Sequence, residues 1–125
     1  MIIAIGVDII EIERIKEALL RLGDRFRNRI FTQAEIRYCE SLSAPYPSYA
    51  ARFAAKEAAM KALGTGWRGG VRWRDIEVIR ERGQAPSIQL SGRALEHFHQ
   101  IGARRAHLSL SHSRDLAIAQ VLFEA

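Results

Sequence analysis

The sequence predicts an α+β fold in which a mainly antiparallel sheet packs against one long central helix. Three observations carry that expectation. Two stretches late in the chain, RAHLSLSH and DLAIAQVLF, alternate apolar and polar residues across the short break SRD, the pattern of an antiparallel hairpin. An alanine-rich segment from about Ser48 to Leu63 has the strongest helical signal in the chain. The remaining strand and helix patterns are mixed, without the regular βαβ rhythm of a parallel sheet. With 125 residues, 48% of them hydrophobic, a single domain over residues 1–125 has enough apolar material for one core.

Taken in order, Ile2 to Val7 reads as a short, fully apolar strand. Ile12, Ile15, Leu19 and Leu22 then recur at helical spacing, with Gly23 placed to end that helix, so Asp8 falls at a strand-to-helix junction. The segment TQAE, Thr32 to Glu35, is a capping box for a second helix running to about Leu42, because the threonine hydroxyl and the glutamate satisfy amides otherwise left unpaired. SAPYPSY is a proline-broken connection. The alanine-rich helix follows and closes at Gly64, which favours a left-handed backbone. After GTGWRGG, the segment VRWRDIEVIR places Val71 and Trp73 on one face and changes register near Asp75, as a half-exposed strand with a bulge would. RGQAP is a turn and SIQL a short strand. SGRALEHFHQIG is a helix that starts near Ser91, ends at Gly102 and turns Leu95, Phe98 and Ile101 inward.

A net charge of +5 and a pI near 10.0 call for an acidic partner: nucleic acid, a phosphorylated small molecule, an anionic membrane or an acidic protein. Much of the charge lies early, in Arg14, Lys16, Arg21, Arg25, Arg27 and Arg29, interleaved with Glu11, Glu13, Glu17 and Asp24. A solvated amphipathic helix and a docking surface for an acidic macromolecule both fit that mixture. The apolar stretches fall short of the roughly 20 residues of a membrane span, and the first residues lack a basic segment and a cleavage site, so a soluble, cytoplasmic protein is expected. Cys39 is the only cysteine, which excludes an intramolecular disulfide and a thiolate zinc cluster and suits a buried small side chain.

Two carboxylates stand out. In RFAAKEAAMKALGTG, at about 100° per residue, Glu57 projects only about 40° from Phe53, toward the core side. A carboxylate there asks for a cation. Lys61, one turn on, would supply it as an ordinary i,i+4 pair. Asp8 has an equally plain reading as N-cap of the first helix with Glu11 as its reciprocal partner. Together, however, a carboxylate at a strand end and one on the inner face of a packed helix could share a hard cation. Magnesium commonly takes one or two protein carboxylates and completes its shell with water and substrate phosphates. Arg52 and Lys56 form a basic ridge beside Glu57, either a solvated edge or a phosphate-facing one, and the GTG turn could offer amides to the same anion. His97 and His99 fall in a helix; His107, Ser109 and Ser111 share one face of the hairpin strand, with ordinary exposure as the plainest reading. The sequence has neither a clear zinc-ligand cluster nor a serine in a G-x-S-x-G turn.

The order GVDIIEIERI, FTQAE, RFAAKEAAMKALGTG, HLSLSH resembles the holo-acyl-carrier-protein synthases, the small bacterial class of 4'-phosphopantetheinyl transferases, over nearly the whole chain. The resemblance implies the 4'-phosphopantetheinyl transferase fold and transfer of phosphopantetheine from coenzyme A to a serine of apo acyl carrier protein. It further implies a magnesium requirement, release of adenosine 3',5'-bisphosphate, and support of fatty acid biosynthesis. A homotrimer with active sites between subunits is implied, with neither nucleic acid nor membrane as partner. Carried onto matching positions, Asp8 and Glu57 would hold magnesium and Lys61 would neutralise or protonate the leaving phosphate. Arg52, Lys56, Gly64, Thr65 and Gly66 would border the coenzyme, and His107 and Ser109 match the strand that lines the nucleotide. Arg14, Arg21 and Arg25 would dock the acidic carrier protein. Leu63 stands where an aromatic residue is frequent, and Arg37 where some relatives carry an acid, which leaves the general base open between Glu57 and a metal-ordered water. Two other readings compete: a nucleic-acid-binding module, motivated by the pI, Trp67, Trp73 and the arginines, and a metal-dependent phosphohydrolase with water as nucleophile.

Overall fold

Antiparallel pairing carries the first strand further than its apolar run does. In the computed structural model, which describes residues 1–81 and 83–125, β1 spans Ile2–Glu11. Asp8 is thus an interior strand residue opposite Ala119, not a junction residue. Helix α1, Ile12–Leu22, has Glu11 as its N-cap with no side-chain capping bond, so the Asp8–Glu11 capping pair expected from the sequence does not form. Gly23, at φ 59°, ends α1 and opens a helix the sequence pattern did not reveal, α2, Asp24–Ile30, whose 7 residues are too few to register a period. Helix α3, Gln33–Glu40, starts on the expected capping box: the Glu35 amide donates to Thr32 Oγ1 at 3.2 Å and the Thr32 amide to Glu35 Oε1 at 2.9 Å.

Helix α4 spans Tyr46–Leu63. It begins before the expected Ser48 because Pro47 stands in its first turn, where a missing N–H forfeits no helical hydrogen bond. Gly64, at φ 78°, closes it. The stretch from Val71, expected as a bulged strand, is instead a 3₁₀ turn over Trp73–Asp75 leading into β2, Ile76–Ile79. The Asp75 carboxylate tightens that turn by accepting the Arg72 amide at 3.0 Å. Strand β3, Ser87–Leu90, pairs with β2 as a separate two-stranded sheet; Arg82, first residue of the expected RGQAP turn, lies outside the described residues. Helix α5, Gly92–Gln100, follows, then β4, Arg105–His112, and β5, Leu116–Glu124, the predicted hairpin. The main sheet has the order β1-β5-β4 and is wholly antiparallel.

α4 crosses one face of this sheet, and its alanines make the close approach possible: Ala54, Ala55, Ala58 and Ala59 are fully buried, as are Ala117, Ala119 and Val121 of β5. Gly6 of β1 marks the tightest point. A Cβ there would stand 1.9 Å from the Ala58 carbonyl oxygen, so no other residue fits without pushing strand and helix apart. The opposite sheet face is apolar yet uncovered: Ile5, Val7 and Ile9 remain 54%, 50% and 59% exposed. β1 is therefore buried on one side only.

The third layer is tied on by a buried charge. Lys56, on α4 and 0% exposed, donates through Nζ to Glu35 Oε1 at 2.8 Å, to the Trp73 carbonyl at 3.2 Å and to the Ile76 carbonyl. Glu35, 1% exposed, accepts the Val78 amide on its other oxygen at 3.0 Å. Burial pulls the Lys56 pKa down while the Glu35 charge opposes the fall. Removing one member strands the other without its counter-charge. Lys56→Met and Glu35→Met should each lower the unfolding free energy by about 3–5 kcal/mol in urea titrations, and the double variant Lys56→Met/Glu35→Met by less than the sum. Additive losses would show that the two groups do not act as a pair.

Candidate active site

β1 and α4 bring Asp8 and Glu57 to the same side of the sheet. Register puts Asp8 on the helix-covered face with Gly6 and Ile10, while α4 turns Glu57 toward the same edge. Glu57 is half-buried, in a shallow hollow of about 350 Å³ shared with Met60, Lys61, Gly64, Gly66 and Trp67. Burial first, then the Asp8 charge, push its carboxyl above the ordinary range; Trp67, Lys61 and Arg14 oppose the rise. The two carboxylates are thus close enough to repel each other. Lys61 does not make the expected i,i+4 pair with Glu57: its Nζ donates to Asp8 Oδ1 at 2.9 Å and to the Val7 carbonyl at 3.0 Å. The backbone of β1 captures it first.

Two hard oxygen donors that repel one another, with a cation already drawn to one of them, suit a divalent ion of magnesium's type. Among the described residues no group of three or more His, Cys, Asp or Glu side chains converges, so an ion held by these two carboxylates would complete its shell with water and substrate oxygens. The turn after α4 is shaped to approach an anion: Gly64 and Gly66 lie at φ 78° and 61°, and the Thr65 hydroxyl donates to the Gly66 carbonyl at 3.1 Å, leaving the turn open toward Glu57.

The basic ridge on α4 is not solvated. Lys56, expected at its edge beside a phosphate, is enclosed by Glu35 and two carbonyls and has no exposed surface to offer a ligand. Arg52 is only 3% exposed, lies 4.4 Å over the Tyr38 ring, and donates from Nη1 to Ser48 Oγ at 2.6 Å. Its Nε is buried with no partner among the described residues, at a hollow of about 360 Å³ that Arg80, Ser111 and His112 also line. An unpartnered guanidinium nitrogen beside a hollow with further polar groups is a place for an anion.

His107 and Ser109 do not join Asp8 within one chain. Their register partners, Leu122 and Gln120, share the uncovered sheet face, opposite the one that carries Asp8. His107 Nε2 sits 2.6 Å from Glu124 Oε1 and holds that carboxyl below its usual range, helped by Arg105. Arg14, Arg21 and Arg25 are exposed; Arg14 and Arg21 border a hollow of about 260 Å³ with Phe26 and Phe53. Sequence reasoning missed the aromatic ladder that runs from this hollow to the carboxylates. Phe26 stacks on Phe53 (centroids 6.5 Å apart), Phe53 on Trp73 (5.0 Å), and Trp73 lies against Trp67 (3.8 Å). Phe26 falls in the undetected α2, and the two tryptophans in a segment whose 3₁₀ turn has no periodic signal. Cys39 is fully buried, donating to Ser48 Oγ at 3.3 Å, and burial raises its thiol pKa, as befits an inert residue. Among the described residues no helix is long and apolar enough to cross a membrane.

Comparison with known proteins gives this geometry its context. Residues 4–121 match the pattern of the 4'-phosphopantetheinyl transferase superfamily. The holo-[acyl-carrier-protein] synthase of Koribacter versatilis is 53% identical over 124 residues, covering 99% of each chain. The crystal structure of that enzyme from Neisseria meningitidis superposes with a TM-score of 0.89 at 34% identity over 100% of both chains. The Helicobacter pylori synthase, in complex with coenzyme A, gives 0.83 at 32% identity over 96% of this chain and 99% of its own. Sequence pattern, backbone course and overall identity agree, and the chain belongs to the holo-[acyl-carrier-protein] synthases of the 4'-phosphopantetheinyl transferase superfamily.

Proposed function

We propose that this enzyme transfers the 4'-phosphopantetheine group of coenzyme A to a serine of apo acyl carrier protein in a magnesium-dependent reaction. Adenosine 3',5'-bisphosphate is released, and the product carrier serves fatty acid biosynthesis. The observation that carries this reading is the meeting of Asp8, Glu57 and Lys61 where β1 and α4 share an edge, beside the Gly64–Gly66 turn.

In the reaction the serine oxygen bonds to the phosphorus that bears pantetheine, the bond from that phosphorus to the bridging oxygen breaks, and the bridging oxygen leaves on the nucleotide. Attack on a pyrophosphate needs positioning and neutralisation of charge more than covalent help. Magnesium held by Asp8 and Glu57 supplies Lewis-acid neutralisation of the pyrophosphate when bound. Lys61, anchored on Asp8 and the Val7 carbonyl, holds a positive charge toward the leaving phosphate. The serine proton passes to Glu57 or to a metal-ordered water, the two acceptors this site offers. Gly64, Thr65 and Gly66 border the coenzyme, and Arg52, whose Nε has no partner among the described residues, receives one of its phosphates. Lys56 holds the fold instead of the coenzyme.

His107 and Ser109 reach a nucleotide only if a neighbouring chain contributes them, since they lie on the other face of the sheet. The uncovered apolar face of β1 and β5 supports that arrangement: side chains half exposed in one chain become core in an assembly, and a trimer with sites between subunits is the form we propose. Val7→Glu should yield monomers in sedimentation velocity and lose most activity while keeping its helical circular dichroism. A stable, active trimer in that variant would refute the sheet face as the interface.

The test of the reaction is the intact mass of apo acyl carrier protein incubated with the enzyme, coenzyme A and magnesium. A phosphopantetheine gain is expected; consumption of coenzyme A without carrier would point to a phosphohydrolase instead. Asp8→Ala and Glu57→Ala should each lower kcat by at least roughly a thousandfold with unchanged melting curves, and retained magnesium-dependent transfer in either would exclude the two-carboxylate site. Reversing Arg14, Arg21 and Arg25 to Glu should raise KM for the carrier protein and spare that for coenzyme A. Equal effects on both substrates would argue against a docking helix.

A further inference from the structure

A groove larger than the hollows described above is left without a role by the transfer chemistry. It holds about 700 Å³ between α2 and the 67–75 segment, with Arg29 on one wall, Arg72 and Arg74 on the other, and Trp67 and Trp73 between them. All three arginines are exposed, and among the described residues none is ion-paired. Unpaired like charges facing one groove repel each other and gain when an acidic ligand enters.

Two features connect this groove to the surface around Arg14 and Arg21. Arg25 and Arg29 lie one turn apart on α2, so the short helix carries a basic edge from the first hollow to the second. Beneath it, the ladder Phe26–Phe53–Trp73–Trp67 forms a continuous floor, whose last ring also borders the Glu57 hollow. We propose that Arg72 and Arg74, facing Arg29, form a second lobe of the carrier-protein docking surface and receive an acidic segment of the apo carrier. The proposal rests on the transferase reading and extends it to residues outside the reacting centre.

The chemistry of the groove favours a peptide over the other anions. Phe53 and Trp73 are each covered by a neighbouring ring on both sides, which leaves the groove little ring face for nucleobases. A pyrophosphate needs donors converging on one point, whereas these three guanidiniums belong to two facing walls around an open space. Carboxylates spread along a polypeptide match that spacing.

The experiment compares wild type, Arg72→Gln/Arg74→Gln and Arg72→Glu/Arg74→Glu in steady-state transfer, varying carrier protein and coenzyme A separately. The charge-reversed enzyme should show KM for the carrier raised roughly tenfold, with kcat and KM for coenzyme A unchanged, and the neutral variant should fall between. The difference from wild type should shrink as salt is raised. Identical carrier KM in all three enzymes would overturn the second lobe while leaving the transferase reading intact, and absence of transfer by wild type would overturn both. A rise confined to KM for coenzyme A would overturn the proposal in favour of a nucleotide groove. Loss of single-stranded RNA binding at unchanged carrier KM would overturn it in favour of nucleic acid.

Discussion

One buried ammonium sets the geometry on which the rest depends. Lys56 Nζ gathers Glu35 from α3 and the carbonyls of Trp73 and Ile76, while Glu35 in turn holds the Thr32 cap and the Val78 amide. Three elements are thereby locked to α4 at a single point. A helix anchored there cannot rotate, and the next residue, Glu57, is fixed about 100° around the axis, at the edge β1 approaches. The opposite side of the same helix is held by steric contact instead of charge, with Gly6 against the Ala58 carbonyl. Between a polar clamp and a close-packed contact, the spacing of Asp8 and Glu57 has little freedom.

Most of the architecture was legible because its signals are local. The hairpin, the capping box at Thr32, the long alanine helix and its left-handed stop at Gly64 each follow from a few neighbouring residues. What escaped depends on contacts between distant segments. The length of β1 is decided by its pairing with β5, not by its own apolar run, and this is why Asp8 looked like a helix cap. Glu35 was read as one half of a capping box; nothing local shows that the same oxygen also accepts Lys56. Lys56 and Arg52 looked like a solvated ridge because the helix they sit on is buried nearly all round, which periodicity cannot report when alanine fills most positions. The proximity of Asp8 and Glu57 was legible only by analogy, since spacing on one helix cannot place a strand beside it.

The sheet divides the candidate site residues into two sets. Asp8 and Glu57 lie on the helix side, and His107 and Ser109 on the apolar side left open to a partner. A strand alternates its side chains between faces, so a single chain of this topology cannot direct both sets at one small molecule. The proposed association of copies would remove the conflict and bury Ile5, Val7 and Ile9 in the same step. Stability of the sheet and completeness of the site are, on this view, two results of one contact.

Trp67 and Trp73 are the only two tryptophans in the chain; their ring centroids lie 3.8 Å apart, and Trp67 shares the hollow of Glu57. All indole emission therefore originates from one pair of rings, close enough to exchange excitation, whose Trp67 forms a wall of the candidate site. The molecule contains its own optical gauge of that wall, with no distant fluorophore of the same kind to dilute the signal. Whatever enters the site, or rearranges the turn that carries Trp67, is written directly into the native spectrum.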